Sequence, residues 1–168
     1  MGESASDRQR TSVLFVCLGN ICRSPLAEGV FRHLATERGQ DHEFLVDSAG
    51  TGAWHVGEPP DRRSVEVAAR HGITVNGQAR KVRPDDLQSF DLVVAMDRGN
   101  LEDLENLADA HGSRARLHLL REFDSRRTGD DVPDPYYGGP NGFETVYHMV
   151  RRSCEGLLET LADAGDEP

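Results

Sequence analysis

Short apolar segments alternate with longer amphipathic ones along the first half of the chain. The run SVLFV (residues 12–16) and the segment EFLVDSAG (43–50) are rich in β-branched and aromatic residues, which favours buried strands. Between them, residues 24–39 carry apolar side chains at helical spacing, and Ser24 is the predicted N-cap of that helix. A second helix is predicted from about residue 61 to residue 72. The chain therefore begins as a strand–helix–strand–helix pattern.

The second half of the chain continues the same alternation. The segment FDLVVAM (90–96) predicts a third strand, and RARLHLL (114–120) predicts a fourth. The segment 97–112 between them has leucines on one helical face. A polar loop rich in proline and glycine then leads to a last amphipathic helix over residues 141–162.

This alternation predicts an α/β fold in which a four-stranded parallel sheet has helices on both faces. We expect one domain over residues 12–162, a disordered lead-in over 1–11 and a tail over 163–168. Ligands of such sheets bind beyond the carboxyl ends of the strands. The loop CLGNICRS, which follows the first strand, lies at that edge.

Composition limits the kinds of function. The formal net charge of -10 disfavours binding to nucleic acid, because contacts with a phosphate backbone require surfaces rich in lysine and arginine. The sequence has no membrane span and no signal peptide, which predicts a cytoplasmic protein. Its three cysteines are too few for a secreted disulfide framework. We expect a monomer, with a weak dimer as the alternative.

The loop after the first strand has the chemistry of an oxyanion site. Gly19 and Asn20 tolerate the backbone angles that let successive N–H groups curl around an anion, and Arg23 adds a planar fork of donors. Cys17 would lie at the floor, where these donors and the helix N-terminus stabilise a thiolate. A cysteine at a strand end is usually an inert core residue. Here its spacing from Arg23 and from the start of the helix predicts a nucleophile that attacks phosphorus.

The motif CLGNICRSPLAEGVF resembles the signature of the low-molecular-weight protein tyrosine phosphatases. The resemblance continues through VDSAGTGAWHVGEPPDRRS, RHGI, DLVVAMD and DPYYGG, and it covers roughly residues 12–162. It implies that Cys17 is the nucleophile, that Arg23 stabilises the transition state, and that Ser24 hydrogen-bonds the thiolate. It also implies that a network of Asn20, Ser48 and His71 supports the loop. The phosphate would be bound by loop residues, which are Leu18, Gly19, Asn20, Ile21 and Cys22.

A phosphatase of this kind also needs an acid that protonates the leaving oxygen. Asp134 lies between two prolines, which hold it on a stiff extended segment, and the resemblance implies that it is the general acid and later the base. Asp130 and Asp131 are expected to be plain loop charges.

Aromatic residues on the loops at the same edge of the sheet are typical of a cleft for an aryl ring. They are Trp54, Tyr136 and Tyr137, and in this family they would surround a phosphotyrosine. The expected substrates are therefore tyrosine-phosphorylated proteins and small aryl phosphates, with free phosphate or other oxyanions as site ligands.

Two alternative activities use the same loop. A protein-arginine phosphatase of this family has threonine where this chain has Ile21, and an apolar side chain there favours an aryl ester. An arsenate reductase needs further cysteines downstream of the loop, and only Cys154 lies there. Cys22 either packs beneath the loop or forms a protective disulfide with Cys17 under oxidation. No cofactor is expected, and the seven histidines have no ligand spacing that predicts a metal site.

Overall fold

A four-stranded parallel sheet forms the centre of the computed structural model, which describes residues 10–136 and 142–166. The order of the strands is β2-β1-β3-β4. Their bounds are β1 Thr11–Cys17, β2 Phe44–Gly50, β3 Leu92–Ala95 and β4 Arg116–Leu119. The predicted fold class and all four predicted strands are thereby confirmed, with boundary shifts of no more than two residues at any end.

Five α-helices connect or flank the strands in the described part of the chain. Their bounds are α1 Arg23–Glu37, α2 Arg62–Arg70, α3 Asp86–Ser89, α4 Arg98–His111 and α5 Gly142–Asp166. The short helix α3 was not predicted, because four residues are too few to show a helical period. Helix α5 runs to Asp166, so it includes part of the predicted tail. None of the described helices is both long and apolar enough to cross a membrane.

Alternate residues of β1 belong to two separate hydrophobic clusters. Val13 and Phe15 pack with side chains of α1, α2 and α5 on one face of the sheet, whereas Leu14 and Val16 pack with those of α3 and α4 on the other. This alternation follows from the two-residue period of a strand. It leaves β1 with no exposed face and brings Cys17 to the edge of the sheet as the last residue of that strand.

The strand order also explains where a ligand can enter. The chain leaves β1 for β2 on one side and later returns to place β3 on the other side of β1. The connections therefore diverge at the carboxyl end of β1, which opens a crevice there.

A short backbone clamp, residues 79–82, fastens the loops at this edge. The N–H of Gly50 donates to the carbonyl of Arg80 at 2.8 Å, and the N–H of Val82 donates to the carbonyl of Gly50 at 2.8 Å. The N–H of Gly57 donates to the carbonyl of Ala79, also at 2.8 Å. The loop that follows β2 is thus held at both of its ends by the same segment.

Candidate active site

The sulfur of Cys17 is the centre of the loop between β1 and α1. The backbone N–H of Asn20 donates to this sulfur at 3.2 Å, and the hydroxyl oxygen of Ser24 lies 3.0 Å from it. Asn20 has a φ of 56°, a left-handed conformation that turns the backbone N–H groups inward. Two polar groups therefore converge on a buried sulfur.

Ser24 lies inside α1 and is not its N-cap, which corrects the sequence prediction. The helix begins at Arg23, its N-cap is Cys22, and no side chain caps it. The side-chain amide of Asn20 donates to the Ser24 hydroxyl oxygen at 2.9 Å. Because that bond occupies the oxygen as an acceptor, the hydroxyl hydrogen of Ser24 can point to the sulfur of Cys17.

The side chain of Asn20 also joins the loop to β2. Its amide donates to the hydroxyl of Ser48 at 2.9 Å, and Ser48 in turn donates to a carboxylate oxygen of Glu28 at 2.7 Å. The side-chain oxygen of Asn20 accepts the backbone N–H of Arg80 at 3.0 Å. Burial raises the pKa of Glu28 despite the hydrogen bond from Ser48. The conformation of the loop is therefore fixed from α1, from β2 and from the 79–82 clamp.

Arg23 is buried beside the loop and is held by acceptors from two other segments. Its Nη1 donates to Asp97 at 2.7 Å and to the carbonyl of Val132 at 3.0 Å. Its Nη2 lies 3.5 Å from a carboxylate oxygen of Asp134. Burial opposes the charge of Arg23, but Cys17, Asp97 and Asp134 outweigh it, so the pKa of the guanidinium lies above its usual value. The cation is permanently charged and fixed in orientation.

Asp134 lies on the loop that crosses the mouth of the site. One of its oxygens accepts the backbone N–H of Tyr136 at 3.0 Å, while the other faces Arg23. Arg63 of α2 holds this loop from below, since its Nη1 donates to the carbonyl of Tyr136 at 3.1 Å and its guanidinium lies 5.3 Å from the centre of the tyrosine ring. Asp134 is therefore mounted on a braced segment.

These groups surround a cavity of about 320 Å³. The sulfur lies at its floor, Asp134 lies at its rim and aromatic rings form its walls. Trp54 is 74% exposed, and its ring covers Gly52 so closely that a Cβ on that glycine would lie 1.9 Å from it. The lining residues are Cys17, Leu18, Gly19, Ile21, Cys22, Arg23, Trp54, His55, Asp134 and Tyr136. A pocket of this size suits a single aryl ring that bears an oxyanion.

A family model described as low molecular weight phosphotyrosine protein phosphatase matches residues 12–166. The chain belongs to this family. The matched segment includes the loop, Arg23 and Asp134, so the resemblance of the motifs is confirmed at the level of the whole chain.

Phosphatases of this family from distant organisms are similar along most of their length. A Streptomyces coelicolor protein-tyrosine-phosphatase is 46% identical over 153 residues, which covers 90% of this chain and 93% of the relative. The chicken phosphotyrosine protein phosphatase is 45% identical over 149 residues, with 88% of this chain and 94% of the relative covered.

Solved structures show the same fold. The YfkJ protein from Bacillus subtilis superposes with a TM-score of 0.86 at 40% identity, covering 97% of this chain and 99% of the other. A Drosophila arginine phosphatase superposes with a TM-score of 0.84 at 36% identity, covering 89% of this chain and 96% of the other.

The predicted supporting role of His71 is wrong. Its Nε2 lies 2.7 Å from a carboxylate oxygen of Glu144 in α5, and its ring stacks on Tyr147 with centroids 3.9 Å apart. Glu28 and the backbone of Arg80 complete the phosphatase loop network instead. The His71 side chain at the end of α2 thus faces the last helix and not the loop.

The three cysteines differ in their surroundings. All are free and buried, and Cys22 lines the pocket together with Cys17. Burial, together with the charges of Asp61, Cys17 and Asp134, raises the pKa of Cys22 to about 12. Cys154 lies in α5, and burial raises its pKa also. Cys22 is therefore a neutral thiol when the phosphatase is in its reduced form; its redox role stays a prediction. Tyr137 lies outside the described residues.

Sequence reasoning missed three residues of the phosphatase site. Asp97 holds Arg23, Arg63 braces the Asp134 loop, and His55 forms part of the cavity wall. Asp97 directly follows Met96 at the carboxyl end of β3, and β3 pairs in parallel with β1. The sequence could therefore have predicted that Asp97 lies near the loop that follows β1. The contacts of Arg63 and His55 depend on how distant loops cross and leave no local pattern.

Proposed function

We propose that the chain is a protein tyrosine phosphatase that hydrolyses phosphotyrosine and small aryl phosphates through a cysteinyl-phosphate on Cys17. The observation that carries this proposal is the convergence on one sulfur of the Asn20 N–H and the Ser24 hydroxyl, with the Arg23 guanidinium beside the same cavity. A sulfur in such a cradle acts as a nucleophile without a separate base.

In the first step, the Cys17 sulfur forms a bond to phosphorus while the bond from phosphorus to the aryl oxygen breaks. The loop N–H groups and Arg23 bind the three equatorial oxygens, whose charge is spread in the transition state. Arg23 is already held by Asp97 and Val132 before substrate binds. Orienting the Arg23 guanidinium therefore costs little free energy when the transition state forms.

Asp134 then supplies the proton that the leaving oxygen needs. Asp134 lines the same cavity as the Cys17 sulfur, and one of its carboxylate oxygens lies 3.5 Å from Arg23 Nη2. In the second step, water attacks phosphorus, passes its proton to the Asp134 carboxylate and releases the sulfur of Cys17. The Ser24 hydroxyl stabilises the thiolate that leaves.

The walls favour an aryl ester over a guanidinium phosphate. Ile21 presents an apolar side chain to the cavity, and Trp54 and Tyr136 offer ring faces. The alternative activity is that of an arginine phosphatase, because the structurally similar Drosophila protein is one. Rates on phosphotyrosine and phosphoarginine peptides of the same sequence decide between them, and faster hydrolysis of phosphoarginine would reject the proposal.

The mechanism is tested with aryl phosphates whose leaving groups differ in pKa. Cys17→Ser should bind substrate without turnover, while Cys154→Ala, a cysteine remote from the cavity, should retain turnover. Asp134→Ala should slow hydrolysis by about 10²–10⁴-fold for a poor leaving group and much less for a good one. Asp130→Ala is the matched control from the same loop. An equal loss for good and poor leaving groups would show that Asp134 is not the acid.

We further propose that the chain acts as a cytoplasmic monomer on tyrosine-phosphorylated proteins and comprises one catalytic domain over residues 12–162. Three free cysteines in the described part of the chain are consistent with a reducing compartment. Size-exclusion chromatography coupled to light scattering tests the monomer, since a dimer would give twice the 18.5 kDa mass of the chain.

A further inference from the structure

A cluster of two histidines and one carboxylate lies where α2 ends against the first turns of α5. The Nε2 atoms of His71 and His148 lie 2.7 Å and 3.3 Å from the same oxygen of Glu144. One ligand atom from each of the three residues lies within 4.8 Å of the other two. The cluster is outside the phosphatase cavity, and none of its residues takes part in the mechanism above.

Imidazole nitrogen and carboxylate oxygen form the ligand set of many zinc sites. In a tetrahedral site with bonds of about 2.0–2.1 Å, ligand atoms lie about 3.3 Å apart. The 3.3 Å separation between His148 and Glu144 matches that value. The 2.7 Å separation between His71 and Glu144 is a hydrogen bond, which a metal would replace with a wider spacing, and rotation of the exposed His148 side chain can adjust its distance to His71. We propose that His71, Glu144 and His148 form a binding site for Zn²⁺ or a similar divalent transition metal, with water as the fourth ligand.

The neighbouring residues hold these ligands in place. Glu144 and His148 are four residues apart on α5, so their side chains lie on the same face of that helix. The ring of His71 stacks on the buried ring of Tyr147, with an angle of only 7° between the two planes. The site is therefore partly organised before a metal arrives.

Charges around the cluster determine which oxygen is available. Arg70 lies 3.3 Å from Oε2 of Glu144, so this oxygen is engaged and Oε1 is left to face both histidines. Arg70 also places a positive charge near the proposed metal position. Removal of that charge should therefore strengthen the binding of the metal.

A metal at this site would fasten the end of α2 to the start of α5. Helix α2 carries Arg63, which braces the Asp134 loop, and α5 follows that loop in the chain. Binding would therefore stabilise the folded state by the linkage between ligand and stability. The inference itself does not depend on the proposed phosphatase activity.

The test measures Zn²⁺ affinity by competition with a chromophoric chelator, using the full chain without an affinity tag. A Cys17→Ser background removes the sulfur of Cys17 as a competing metal ligand. We expect one bound Zn²⁺ and a rise in melting temperature on its addition. His148→Gln, which changes an exposed side chain, should weaken binding by at least about tenfold.

His118→Gln is the matched control, because His118 pairs with Glu122 four residues on but has no third ligand nearby among the described residues. It should leave Zn²⁺ affinity unchanged, whereas Arg70→Gln should increase it. The proposal is overturned if the chain binds no Zn²⁺, or if His148→Gln and His118→Gln weaken binding equally.

Discussion

The ion pair between Arg23 and Asp97 gives the most discriminating prediction for the resting site. Replacing Asp97 by Asn removes the carboxylate charge but keeps a side-chain oxygen that can accept the N–H of Asn100 at the start of α4. The variant therefore isolates the contact with Arg23 from the helix cap. No residue is lost from the cavity lining.

The size of the expected loss of stability follows from the burial of the two charged side chains. The side chains of Arg23 and Asp97 are 3% and 24% exposed, and their nitrogen and oxygen lie 2.7 Å apart. A hydrogen bond to a charged group contributes about 1.5–3 kcal/mol, and more is lost when a buried charge is left without a partner. Because 1 kcal/mol corresponds to about 2–4 °C in a domain of this size, Asp97→Asn should lower the melting temperature by about 3–12 °C.

A bound oxyanion should reverse part of this loss. Phosphate supplies the negative charge that Asp97 no longer gives to Arg23, so its binding should be tighter in the variant. Thermal melts with and without phosphate measure both effects, and the phosphate-induced shift should be larger for Asp97→Asn than for the parent. Asp97→Ala also loses the helix cap and should melt lower still.

Asp130→Asn is the control for the removal of a charge at the surface, and it should shift the melting temperature by less than about 2 °C. An Asp97→Asn variant as stable as the parent would refute this reasoning. A phosphate-induced shift equal to or smaller than that of the parent would refute it also.

Three further results are expected. Gly50→Ala should lower kcat by at least about tenfold, because the new Cβ would lie 2.7 Å from the carbonyl oxygen of Leu18 and displace the loop between β1 and α1. A kcat within twofold of the parent would contradict this. Arg63→Ala should slow the hydrolysis of aryl phosphates with poor leaving groups more than that of aryl phosphates with good ones, since it frees the Asp134 loop. An equal loss in the steady-state rates for both would show that Arg63 does not position this loop. Cys22 has a pKa of about 12 against 9.0 for the unperturbed thiol, so it should resist alkylation at pH 8, and the stability of the fold should decrease as the pH rises above 9 because the thiol of the unfolded chain loses its proton first. Mass mapping of the alkylated protein and pH-dependent melts measure the two effects. Rapid labelling of native Cys22 at pH 8 would contradict the prediction.

Local patterns in the sequence were sufficient for the layers of the fold. The two-residue period of β1 and the helical spacing in α1 follow from side chains that are neighbours in the chain. The same holds for the position of Cys17, since a strand followed by a glycine-bearing turn determines where the loop must lie. Family resemblance added Asp134, whose nearness to Arg23 cannot be deduced from spacing.

Contacts between distant segments could not be deduced in this way. The pairing of Asn20 with the backbone of Arg80, 60 residues away, depends on how the 79–82 clamp crosses the sheet edge. His71 was placed in the wrong network because a histidine at a helix end has no pattern that reveals its partner. That partner, Glu144, is 73 residues further along the chain. For the same reason the zinc ligand set could not be recognised from the spacing of the histidines.

The 79–82 clamp has a consequence for the design of chimeric enzymes. It hydrogen-bonds the loop that carries Trp54 through Gly50 and Gly57, and it also hydrogen-bonds the side chain of Asn20 beside the sulfur. An aromatic wall grafted from a homologue without its own clamp would therefore disturb the floor of the cavity as well. Specificity in this scaffold should be exchanged as a pair of segments, with the wall and the clamp transferred together.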